Sequence, residues 1–80
     1  MTRQEFVKEC GKLLNIAKPS LLSCELVLGR DMPKRAATHY IKEDEYVLIT
    51  CENGYTYGLP VDGNSLVAIA EEIFSSMAHK

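Results

Sequence analysis

Two stretches of this chain repeat apolar residues at helical spacing, and the stretch between them reads as strand and loop. In the first, Phe6, Cys10, Leu13, Leu14 and Ala17 fall on one helical face. Just ahead, Thr2-Arg3-Gln4-Glu5 has the form of a capping box: the Thr2 hydroxyl accepts from the Glu5 N–H while the Glu5 side chain reaches back. Lys8 and Lys12 follow Glu5 and Glu9 by three residues and predict modest surface pairs. Gly11 weakens the middle of this helix by about 1 kcal/mol relative to Ala, which marks it as a candidate close contact. Pro19 ends the helix after Asn15. In the last stretch Leu66, Ile69, Ala70, Ile73, Phe74 and Met77 share a face, with Glu71, Glu72, Ser75 and Ser76 largely on another. Asp62-Gly63-Asn64-Ser65 supplies its N-cap candidates.

The sharpest local signal lies between Tyr46 and Val61, where two runs rich in β-branched and aromatic residues flank Asn53-Gly54. This predicts a hairpin with a two-residue turn. In that register Glu52 faces Tyr55, Thr50 faces Tyr57, Leu48 faces Leu59 and Tyr46 faces Val61. One face then carries Tyr46, Tyr55 and Tyr57 with Leu48 and Leu59. The other sets Val47, Ile49 and Cys51 over Thr56, Gly58 and Pro60, a small-residue surface on which a helix can lie, Gly58 marking its closest approach. Pro60 places its strand at an edge or ends it.

Residues 19–29 read either as a strand, with Leu22, Cys24, Leu26 and Leu28 inward, or as a short helix from Pro19 to Gly29; alternation favours the strand. Residues 29–35 form a polar, basic loop, residues 36–42 resume an extended pattern, and residues 43–45 make an acidic turn. The expectation is one α+β domain over residues 1–80, with an antiparallel two- or three-stranded sheet between an N-terminal and a C-terminal helix, in the order α-β-β-β-α.

Charge adds an asymmetry. Residues 1–42 hold eight Lys/Arg against four Asp/Glu, whereas residues 43–80 hold seven Asp/Glu and only Lys80, so a net charge of −2 hides halves of +4 and −6. Apolar runs are too short for a transmembrane helix, and MTRQEFVKEC lacks the apolar core of a signal peptide. Cys10, Cys24 and Cys51 are widely spaced, which predicts buried thiols in a reducing cytoplasm and leaves structural zinc without a ligand set. No cofactor or metal site is expected. His39 and His79 have no evident nucleophile to serve, and the glycines are too scattered for a phosphate loop, so catalysis is not expected.

At this length, a helix, three strands and a helix resemble a double-stranded-RNA-binding domain. That family's last helix opens with a lysine-rich phosphate-binding motif. The corresponding Asn64-Ser65-Leu66-Val67-Ala68-Ile69-Ala70-Glu71-Glu72 is acidic and lacks lysine, so the resemblance implies topology without the activity. In size and texture, the stretch YVLITCENGYTYGLPVDGNSLVAIAEEIF above all, the chain is similar to short motif-free proteins of bacterial phages and mobile elements, some of which inhibit host defence enzymes.

These features predict a non-catalytic protein-binding module. Tyr46, Tyr55 and Tyr57 would be aromatic anchors, and Glu43, Asp44, Glu45 and Glu52 would steer a basic, nucleic-acid-handling partner. The alternative is a nucleic-acid-binding accessory domain using Arg30, Lys34, Arg35 and Lys42. Self-association through a strand edge or the tyrosine face is a further expectation.

Overall fold

A computed structural model describes residues 1–17, 20–36 and 39–78, with side chains described as far as Ser76. The helix-ending role expected of Pro19, part of the extended stretch at 36–42, the side chain of Met77, and His79 lie outside the described residues. Helix α1 (Arg3–Ala17) is followed by β1 (Leu21–Leu28), a 3-10 turn at Gly29–Asp31, β2 (Glu45–Cys51), β3 (Thr56–Pro60) and α2 (Leu66–Ala78). The three strands form one antiparallel sheet in the order β1-β2-β3. The α-β-β-β-α order and the α+β class agree with the sequence pattern, and residues 21–28 resolve as a strand. Ala36 and residues 39–42 join no strand.

Both helix starts are set by local chemistry. The Glu5 N–H donates to Thr2 Oγ1 at 3.1 Å and the Thr2 N–H donates to Glu5 Oε1 at 2.9 Å, so the capping box is closed in both directions. Ser65 caps α2, its hydroxyl oxygen accepting from the Ala68 N–H at 3.2 Å. Arg3 ties the two starts together: its guanidinium donates to the Asn64 carbonyl at 2.7 Å and pairs with Glu45 at the head of β2. Tyr57, at the far end of the sheet, shares a hydrogen bond with Ser76 late in α2. The helices therefore start at one end of the sheet and finish at the other.

The buried face of α1 is turned from the expected one. Val7, Cys10, Gly11 and Leu14 are buried, while Leu13 and Ala17 are exposed. Gly11 decides this, because a Cβ on it would stand 3.1 Å from Cys24 Cβ of β1. The helix makes its closest approach there, and residues one turn either side of Gly11 follow it inward.

The hairpin corrects the sequence-based register by one residue. Thr50 pairs with Thr56, Ile49 with Tyr57, Leu48 with Gly58 and Val47 with Leu59. The loop has three residues: the Gly54 N–H donates to the Cys51 carbonyl at 2.9 Å and the Cys51 N–H to the Tyr55 carbonyl at 2.8 Å. Only Gly54 adopts a positive φ, +85°, so the loop is a turn followed by a glycine bulge rather than a turn with two left-handed residues. Asn53 stays at negative φ, and its Oδ1 accepts from the Tyr55 N–H at 2.9 Å. Because strand side chains alternate, this single residue sends all of β3 to the opposite faces.

Helices cover one face of the sheet. Val47 and Ile49 of β2 and Cys24 of β1 pack there with Tyr57, Val61, Val7, Leu14, Ile69 and Ile73. The described residues of the segment 29–44 cover the other face, where Met32, Tyr46 and Leu48 make a second small core. Gly58 lies on this side, and a Cβ there would meet the Met32 methyl; it receives a methionine, not a helix backbone. Two backbone bonds clasp the segment at its base, Gly29 N–H to the Asp44 carbonyl at 2.7 Å and Arg30 N–H to the Lys42 carbonyl at 3.0 Å. Gly29 is buried, and a Cβ on it would run into the Ile41 carbonyl group. Since that neighbour is backbone and cannot swing aside, Gly29→Ala is expected to lower the unfolding free energy by about 1–3 kcal/mol, measured as a shifted urea midpoint with an unchanged slope.

Candidate functional site

The three tyrosines proposed as a common anchor do not share a face. Tyr46 is 3% exposed beneath the 29–44 segment, where its hydroxyl accepts the Ile41 N–H at 2.8 Å. Tyr57 is 8% exposed on the helix face, its hydroxyl 3.2 Å from Ser76 Oγ. Leu48 and Leu59 are likewise separated, one under the segment and one under the helices. Only Tyr55 is open, 45% exposed, its ring 5.6 Å from that of Tyr57. The one-residue register difference is the physical cause.

The carboxylates are divided too. Glu43 and Glu52 are exposed, but they lie beyond opposite ends of β2, a strand about 20 Å long at a rise of roughly 3.3 Å per residue. Asp44 is half-buried and its carbonyl belongs to the clasp. Glu45 is half-buried against Arg3, so its charge is matched within the chain. The basic candidates fare differently. Arg30, Lys34, Arg35 and Lys42 are all exposed on the 29–44 segment, and the Arg30–Lys42 backbone bond holds two of them side by side. His39 is exposed on the same segment.

A grouping that sequence reasoning missed lies at the end where both helices finish. Leu13 and Ile16 late in α1, Leu22 early in β1, Phe74 late in α2 and Tyr55 after the hairpin loop are all exposed large apolar residues. Ile16 is 80% exposed. Gly11 was the available signal: taking it as the centre of the buried face puts Leu13 and Ile16 about 200° and 140° around the axis, on the open side. Leu22 carried no such signal, because its exposure follows from a bulge where the pairing shifts between Leu21 and Ser23.

The cysteines are free, with Cys10 and Cys24 buried. Among the described residues no group of three His, Cys, Asp or Glu side chains could hold a metal, and no helix is long and apolar enough to cross a membrane. Burial pushes the Cys24 thiol up to about 12, with the neighbouring Cys10 and Cys51 adding to the effect; burial also raises Cys10. At the surface, the backbone N–H and then the hydroxyl of Thr2 hold the Glu5 carboxyl below its usual value.

Compared with known proteins, the chain matches no family model, no curated protein and no solved structure.

The raised Cys24 thiol gives stability a pH dependence of definite sign. Below an ordinary thiol value of 9.0 both folded and unfolded chains keep the proton. Between that value and about 12 the unfolded chain releases it while the folded chain holds it, so stability falls as pH rises through this window. Urea titrations across the window are expected to show a loss from Cys24 of up to about 1.4 kcal/mol per pH unit, so that Cys24→Ala, which keeps only the Cys10 contribution, falls less steeply.

Proposed function

We propose that this protein is a non-catalytic protein-binding module that meets its partner with the end of the molecule where both helices finish. The observation that carries this reading is the exposure of Leu13, Ile16, Leu22, Phe74 and Tyr55, which lie in the parts of α1, β1, α2 and the hairpin nearest that end, five of the nine exposed large apolar residues among those described. Contiguous apolar surface rimmed by polar groups is what protein interfaces use, and aromatic residues such as Tyr55 supply much of the binding energy. Glu52, exposed at the start of the hairpin loop that leads to Tyr55, suits a partner with a basic, nucleic-acid-handling surface. An inhibitor of a host defence or nucleic-acid-handling enzyme, encoded by a phage or mobile element, fits this small surface-driven design. Three free thiols support a reducing, cytoplasmic setting.

Tyr46 and Tyr57 leave the binding surface in this reading and belong to the two cores. Ile16→Glu combined with Tyr55→Ala changes two exposed side chains and is expected to keep the circular dichroism spectrum. It should weaken capture of partners from lysate at least tenfold relative to wild type, whereas Glu43→Lys at the opposite end of β2 leaves capture unchanged. Wild-type capture by the double variant would sink the reading.

A second reading, a nucleic-acid-binding accessory domain, is favoured by the four exposed cations on one segment and the bond that juxtaposes Arg30 and Lys42. Asp31, Glu43 and Asp44 on the same segment offset most of that charge, which keeps this reading second. Its expected outcome is duplex RNA or DNA binding at low salt that falls steeply as salt rises and disappears in Lys34→Ala/Arg35→Ala. No binding at 20 mM salt (a concentration on the order of the low-salt limit where such contacts are strongest) excludes it.

A further inference from the structure

The two edges of the sheet are built differently. β3 is short and finishes at Pro60, which has no N–H to offer a further strand. β1 has eight residues, contains neither Pro nor Lys, and carries Glu25 as its only charge. Among the described residues no strand pairs with its outer side. Gly29 donates to Asp44 across the β1–β2 ladder, so alternation turns the N–H and C=O groups of Cys24, Leu26 and Leu28 toward the open edge. Beside that edge, α1 and β1 enclose an open groove of about 360 Å³ whose helix wall carries Lys8, Lys12 and Asn15, and whose strand wall carries one opposing charge, Glu25. Gly11 lets the helix sit close over Cys24 and so forms the groove's inner end.

We propose that this groove binds an extended acidic peptide, which adds as a fourth strand to the free edge of β1. The backbone of the peptide pairs with Cys24, Leu26 and Leu28, the mode of recognition known as strand addition. Every second peptide side chain then faces α1. Lys8 and Lys12 are four residues apart, about 6 Å along the helix, and alternate strand residues are about 6.8 Å apart. The spacing matches acidic residues at positions i and i+2 of the peptide, one opposite each lysine. Lys12 pairs with Glu9 in the free protein at 3.1 Å, an exposed contact that exchanges at little cost. A second copy of the chain is a poorer occupant. A two-fold axis between two β1 edges would bring each copy's Lys8 and Lys12 toward the same residues of the other, and like charges oppose the contact. This site meets the apolar end surface at Leu22, but Ile16→Glu/Tyr55→Ala leaves its lysines and strand edge in place, so the two readings can fail independently.

The test uses the intact protein and two labelled heptapeptides, Thr-Glu-Thr-Glu-Thr-Glu-Thr and its lysine counterpart Thr-Lys-Thr-Lys-Thr-Lys-Thr. Fluorescence anisotropy is expected to show binding of the acidic peptide at least tenfold tighter than the basic one. Lys8→Glu/Lys12→Glu should reverse that preference. N-methylation of one alternate set of peptide nitrogens, the set that faces β1, should abolish binding, and N-methylation of the other set should spare it. Hydrogen exchange should slow at the Cys24, Leu26 and Leu28 amides when peptide is bound. Equal affinity for both peptides, binding that survives N-methylation of each alternate set of nitrogens in turn, or unchanged exchange at those amides would each overturn the proposal. So would light scattering that shows the free protein to be a dimer that Glu25→Lys on β1 dissociates, since a second copy would then hold the edge.

Discussion

The three-residue loop at Glu52, Asn53 and Gly54 sets the face of every side chain in β3. Gly54 takes the left-handed conformation and Asn53 holds the Tyr55 N–H, so the strands leave the loop with Cys51 opposite Tyr55. From that pairing Tyr57 and Leu59 meet Ile49 and Val47 beneath the helices, while Gly58 leaves room for Met32 on the far side. With one residue fewer in the loop, the helix face of β3 would be Thr56, Gly58 and Pro60, and the main core would lose Tyr57 and Leu59 together. Burying an aromatic and a leucine side chain contributes on the order of 3–6 kcal/mol. The larger loop therefore wins over the tighter turn that its residues could also adopt.

Both faces of the sheet need a cover, and the chain provides two of different kinds. Helices supply the first through regular apolar faces. The second is an irregular segment that anchors itself with one methionine, one tyrosine hydroxyl and a buried glycine. This arrangement leaves the cations of the segment pointing outward, and it leaves one strand edge and one end of the molecule open. The surfaces available for binding are thus the remainder of what folding uses, and they do not coincide with the most aromatic stretch of the chain.

Helix starts, caps and the order of elements were legible because each rests on a local rule. The Thr2/Glu5 box and the Ser65 cap are contacts between residues three apart, and the Gly11 contact was marked by its cost to the helix. Face assignment was legible in principle but was misread. Tyr57, Leu59 and Val61 alternate with Thr56, Gly58 and Pro60, and matching the apolar set to Val47, Ile49 and Cys51 requires an odd loop. The Asn53-Gly54 pair fits either loop, so the burial pattern, not the turn signal, had to decide. The cover formed by residues 29–44 was not legible, because nothing periodic announces a loop that buries a single methionine.

The clasp at Gly29 and Asp44 has an entropic side. Sixteen residues separate β1 from β2, against four between β2 and β3. Closing the longer connection costs about 1.2 kcal/mol more in chain entropy, by the logarithmic dependence on length. Burial of the Met32 side chain contributes about 1.5–3 kcal/mol, enough to offset that difference, and it is available only once β1 has docked and the segment has folded across the sheet. The ordering of the segment and the attachment of the first strand are consequently one cooperative event, so the strand edge offered to the outside is only as durable as the loop on the opposite face.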